Sequence, residues 1–105
     1  MRATFCAICL LIIVTSISTK QKFKCEIPSS LRPLPPSQWE PALAVMRYLK
    51  IAVPRDQIIC IVKLPLVGQA YTVQYVSGGG AGYCIRSFWL KPNKENETSI
   101  PDCTA

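Results

Sequence analysis

The chain has 105 residues, half of them hydrophobic, with a formal charge of +6, six cysteines and no histidine. The lack of histidine excludes a Ser-His-Asp or Cys-His nucleophilic pair, a histidine general base and a histidine-ligated metal. Only six carboxylates are present, and Glu95, Glu97 and Asp102 fall in a polar C-terminal stretch, so no enzyme, cofactor or metal is expected.

The first segment speaks to destination. Arg2 precedes an apolar run over residues 3–14, and the small polar residues Thr15, Ser16, Ser18 and Thr19 follow. One charge, an apolar block and small residues make the layout of a secretory signal peptide, with Ser16 and Ser18 at positions −3 and −1 of a cut after Ser18. A membrane anchor fails on length, because the apolar run falls short of the roughly 20 residues needed to span a bilayer. Residues 1–18 are therefore read as a signal peptide and residues 19–105 as a single secreted, extracellular domain without stable membrane insertion. Losing Arg2 lowers the charge to +5, and the remaining charges are scattered rather than blocked, so no nucleic-acid partner is expected.

Cys6 and Cys9 leave with the leader, which makes their C-x-x-C spacing incidental. Cys25, Cys60, Cys84 and Cys103 remain, an even set in a short exported chain, and read as two disulfides with three possible pairings. Zinc is disfavoured, since no C-x-x-C pair survives and histidine is absent. A domain of this size removes only about 60–65% of its unfolded surface from water, so cross-links that restrict the unfolded chain matter.

Residues 20–27 alternate enough to predict a short strand. Pro28, Pro33, Pro35 and Pro36 then predict an extended linker, because proline fixes φ and restricts the residue before it. Ser37-Gln38-Trp39-Glu40 has capping-box spacing, and Trp39, Leu43, Met46 and Lys50 recur at three and four, with Ala42 and Leu49 beside them. That pattern predicts a helix to about Lys50, starting at Pro41 if the proline rules out helical geometry at Glu40. Residues 58–64 are rich in β-branched side chains, and Pro65-Leu66-Val67-Gly68 predicts a turn. Residues 70–76 alternate with Tyr71, Val73 and Tyr75 on one face. The glycine run over 77–82 predicts a flexible connection; no Lys-Ser or Lys-Thr follows it, so it is not a phosphate loop. Residues 83–90 form the last predicted strand, and the tail over 91–103 is expected to be mostly loop. Within the tail, Asn96-Glu97-Thr98 is an N-glycosylation acceptor triplet. One helix followed by an antiparallel meander gives an α+β domain, expected to be monomeric, with the helix on one sheet face.

Three local features carry a family likeness. Residues 41–48 hold an Ala44-Val45 pair shortly before an aromatic, Tyr48. Residues 64–71 hold a Leu-Pro-Leu-Val-Gly turn with Tyr71 three residues after Gly68. Residues 84–92 run from Cys84 through Phe88 and Trp89 to Pro92, closed by Cys103. Across residues 38–103 this order resembles the secreted cystatins, which wrap an antiparallel sheet around one helix and inhibit papain-like cysteine proteases. The resemblance implies a cystatin-like, non-enzymatic protein that binds a protein partner, most concretely a cysteine protease. Leu66, Val67 and Gly68 of one hairpin and Pro92 of the next would form the wedge. It implies a terminal Cys84–Cys103 disulfide; the region of the family's other disulfide is here reduced to the glycine run, and Cys25 and Cys60 instead suggest a bridge from the first strand to the one after the helix. Leu64 and Leu66 stand where the family pattern has Gln and Val, Asn93 where Trp follows the proline, and Pro35-Pro36 where a glycine is found. Two other roles fit an exported basic chain: a cationic host-defence peptide or toxin acting on anionic membranes, and a receptor ligand. No basic amphipathic face supports the first.

Overall fold

The computed structural model describes residues 23–104, so the leader expected over 1–18, with Cys6 and Cys9, lies outside the described residues. Pro36–Gln38 form one 3₁₀ turn that runs into helix α1, Glu40–Tyr48. The expected Ser37–Glu40 capping box does not form: Ser37 sits inside the 3₁₀ turn, Trp39 is the N-cap in helical geometry, and no side chain caps it. Bonds from Gln38 N–H to the Pro35 carbonyl and from Trp39 N–H to that of Pro36 have already wound the chain, so Glu40 is helical despite Pro41. The Glu40 carboxylate goes elsewhere. It accepts a bond from Arg55 at 3.0 Å, and the same guanidinium donates to the Pro36 carbonyl and lies 5.4 Å from the Trp39 ring centroid.

The helix ends at Tyr48, two residues before the apolar stripe does. Lys50 takes φ +60°, its N–H donates to the Arg47 carbonyl, and Ile51 N–H donates to that of Met46. These two bonds define a Schellman cap, with Ile51 and Met46 supplying its apolar contact in the core. Lysine holds a left-handed position that glycine adopts without strain. Lys50→Gly is therefore expected to raise stability by about 0.5–1 kcal/mol, read as a higher urea midpoint with an unchanged slope.

Five strands joined by four antiparallel ladders follow: β1 (Ile58–Lys63), β2 (Gln69–Ser77), β3 (Gly82–Leu90) and the short pair β4 (Asn96–Thr98) and β5 (Asp102–Cys103), both of which pair with β3. The register sets two faces. Ile61, Val73 and Arg86 lie opposite one another, as do Tyr71 and Phe88, and these residues look toward α1. There Ile58, Ile61, Tyr71, Val73 and Phe88 meet Trp39, Ala42, Leu43, Val45 and Met46 in one core. Burial pushes the Tyr71 phenol above its ordinary value by disfavouring the charged form. Each fully buried side chain of this size contributes roughly 1.5–3 kcal/mol relative to leaving it in water. The result is one helix packed on a small antiparallel sheet and held by two disulfides.

The glycine run is a tight corner: Gly78–Gly80 take φ +61°, +68° and +98°, and Ser77 pairs with Gly82 across it. The tail is mostly loop, as expected, but two short pieces of it are strand. Glu97 pairs with Trp89 and Cys103 with Cys84, so β4 and β5 make one sheet edge interrupted at residues 99–101.

Of the strand expected over residues 20–27, the described residues 23–27 form no backbone ladder. They are held to the sheet face away from α1 by a side chain. Gln74 is fully buried; its Nε2 donates to the Lys24 carbonyl at 2.9 Å and its Oε1 accepts from the Glu26 N–H. One amide thus supplies the donor and acceptor that a neighbouring strand would offer to the residues flanking Cys25. Cys25 is bonded to Cys60, the register partner of Gln74, and Phe23 packs edge-on to Tyr83 at 5.5 Å. The segment is a strap across the open face. Beyond it, the proline-rich linker runs along the outer edge of β1, where Leu34 N–H donates to the Ile61 carbonyl at 2.8 Å. Among the described residues no helix is long and apolar enough to cross a membrane.

Candidate functional site

An antiparallel meander brings its first and third connections to the same end of the sheet. Here those are the β1–β2 turn over residues 64–68 and the β3–β4 turn over residues 91–95. In the first, Leu64 N–H donates to the Ala70 carbonyl and Leu66 N–H to that of Leu64, which folds the chain sharply at Pro65. In the second, Lys94 N–H donates to the Lys91 carbonyl and Lys91 N–H to that of Glu95, while the Asn93 side chain accepts from the Glu95 N–H.

Gly68 is where the turns meet. Its φ is +98°, and a β-carbon there would stand 2.5 Å from the Leu90 carbonyl oxygen and 3.1 Å from Pro92 Cδ. Both the backbone angle and the lack of space require glycine. The contact presents Leu66 and Val67 at the tip, 45% and 76% exposed. Val67 is fixed from behind, since its carbonyl accepts a bond from the Trp89 indole N–H at 2.8 Å.

Leu64, Ala70, Trp89 and Glu97 form one cross-strand row on the open face. Ala70 is fully buried in that row. The Lys91 ammonium lies 4.9 Å from the Trp89 ring centroid and 2.9 Å from the Glu97 carboxylate. That hydrogen bond to Glu97 raises the Lys91 pKa, so the ammonium is charged at neutral pH and its side of the contact is lost as pH rises through the lysine range. A depression of about 300 Å³ opens beside the row, lined by Leu64, Leu66, Trp89, Glu97 and Ser99. The ridge therefore has an exposed apolar crest, a rigid base and an aromatic wall on one flank.

The structure brings together all four residues proposed for the wedge: Leu66, Val67 and Gly68 in one turn and Pro92 in the other. Sequence reasoning missed Trp89, Lys91 and Glu97 as parts of the site. Alternation along Tyr83, Ile85, Ser87 and Trp89 was the available signal, because it puts the tryptophan on the face away from the core. Asn96 opens β4 and is exposed. Among the described residues no cluster of three or more His, Cys, Asp or Glu is placed to hold a metal ion. Comparison with protein-family models, curated proteins and solved structures gives no match to the chain.

Proposed function

We propose that the protein is a secreted, non-enzymatic binder that inserts the two-turn ridge into a cleft of another protein, and that the partner is a papain-like cysteine protease. The observation that carries this reading is the pair Leu66 and Val67, exposed on a turn that Gly68 and Trp89 hold rigid. Apolar side chains on a pre-ordered turn bury on docking with little further loss of conformational freedom. The likeness to cystatins adds support, since that family also sets one helix on an antiparallel meander and binds through adjacent turns at one end of it.

Inhibition of this kind needs no chemistry from the inhibitor. The ridge fills the cleft, excludes water and substrate, and offers the catalytic thiol no correctly aligned carbonyl. The second turn has Asn93 where the family carries tryptophan. Losing such a buried aromatic anchor typically costs about 2 kcal/mol or more, near thirtyfold in affinity. Micromolar inhibition is therefore expected rather than tight binding. Titrating papain and cathepsin L with disulfide-intact protein should give reversible, competitive inhibition. Val67→Asp should abolish it while leaving the unfolding midpoint in place, because Val67 is exposed. No inhibition at high micromolar concentration removes the protease as partner.

A further inference from the structure

The binding role draws on Glu97 but gives no part to Asn96 and Thr98, the two residues that make Asn96-Glu97-Thr98 an acceptor triplet. An acceptor triplet for N-linked sugar is ordinarily a surface loop, yet here it is strand β4 itself. Lys91 N–H bonds to the Glu95 carbonyl and Ser99 N–H to that of Ser87. Residues 95, 97 and 99 thus turn their backbone groups toward β3, and those of Asn96 and Thr98 face outward. The Asn96 and Thr98 side chains, two residues apart, share one face of the strand and are exposed. Glu97 between them is pinned twice, by its pairing with Trp89 and by its ion pair with Lys91 at 2.9 Å. The triplet also lies inside the loop that the Cys84–Cys103 disulfide closes, 19 residues in sequence separation. In the folded chain the acceptor is open on its outer edge and blocked by β3 on the other.

We propose that Asn96 carries an N-linked oligosaccharide in the exported protein, and that closure of Cys84–Cys103 limits the fraction of chains that receive it. In the transfer, Asn96 Nδ2 forms a bond to the anomeric carbon of an oligosaccharide carried on a polyprenyl diphosphate. The anomeric carbon–oxygen bond to the diphosphate breaks, the amide nitrogen gives up one proton, and the polyprenyl diphosphate leaves. The transferring enzyme must surround both the Asn96 amide and the Thr98 hydroxyl. An open chain lets it do so, whereas a hairpin zipped to β3 and locked by the disulfide does not. Transfer and closure then compete for the same chains during export.

The test is the full chain secreted from eukaryotic cells, weighed before and after treatment with peptide N-glycosidase. Wild type is expected as a mixture of glycosylated and bare protein, Thr98→Ala as bare protein only, and Cys84→Ala/Cys103→Ala as predominantly glycosylated, with the bare fraction reduced several-fold. If the double variant is retained by the cell, brief dithiothreitol during a pulse label of wild type gives the same comparison by gel mobility. Absence of sugar from every form overturns the proposal, and so does occupancy that is the same with the disulfide formed or prevented. The result depends on export and is independent of whether any protease is inhibited.

Discussion

Replacing Cys25 and Cys60 together by serine is expected to lower the unfolding free energy by roughly 4 kcal/mol, the loop-closure entropy of a bridge of this separation. The bridge spans 35 residues and holds the strap over residues 23–27 to β1. For a domain whose total stability is of the order of 5–15 kcal/mol, that loss brings the midpoint close to the folding limit. Gln74→Leu attacks the same strap from the other side. It leaves the Lys24 carbonyl and the Glu26 N–H without their partner, at a cost of about 1–3 kcal/mol. The two effects should not add. Once the disulfide is gone the strap lifts, water reaches both backbone groups, and losing the glutamine amide matters little. Urea unfolding of the two variants and their combination measures this as a double-mutant cycle. Strict additivity would show that the disulfide and the amide act independently, and that the strap is not one cooperative unit.

What could be read in advance follows from which forces leave a trace in local sequence. Burial on one face does so: the alternation of Tyr71, Val73 and Tyr75 and the spacing of Leu43 and Met46 each mark a surface facing the core, and the helix and strands β1–β3 lie where those patterns predict. Strands β4 and β5 carry no such pattern, because Asn96, Glu97, Thr98 and Asp102 are exposed. They form since β3 offers a row of backbone groups and Cys84 tethers Cys103, neither of which is a property of the tail. The strap misled for the opposite reason. Its alternation was present, but Gln74, 48 residues from Glu26, supplies the pairing with a side chain. The capping-box spacing of Ser37 and Glu40 lost to a competitor, Arg55, that only the fold brings near. At the candidate site, Leu66, Val67 and Gly68 were legible as a turn. The fit of Gly68 against Leu90 and Pro92 was not, because it joins segments more than twenty residues apart.

That contact is the basis of the second large effect. Two glycines with positive φ separate its two causes. Gly79 has φ +68° and nothing within 4 Å of an added β-carbon, whereas Gly68 has φ +98° and the Leu90 carbonyl oxygen at 2.5 Å. Gly79→Ala should therefore register backbone strain alone, about 1 kcal/mol. Gly68→Ala adds a collision with backbone that has no free rotamer to escape into, and the two turns must separate; a loss of roughly 2–4 kcal/mol is expected. The displacement has its own signature. Val67 would draw away from the Trp89 indole, breaking the 2.8 Å bond and exposing the ring, so tryptophan emission should shift to the red in Gly68→Ala and stay unchanged in Gly79→Ala. Of the two tryptophans, Trp39 lies in the core against α1, and the double substitution Trp39→Phe with Gly68→Ala assigns the shift to Trp89. If alanine at both glycine positions gave equal losses and the emission never moved, the turns would not be braced against each other, and the ridge would have no rigid base from which to bind.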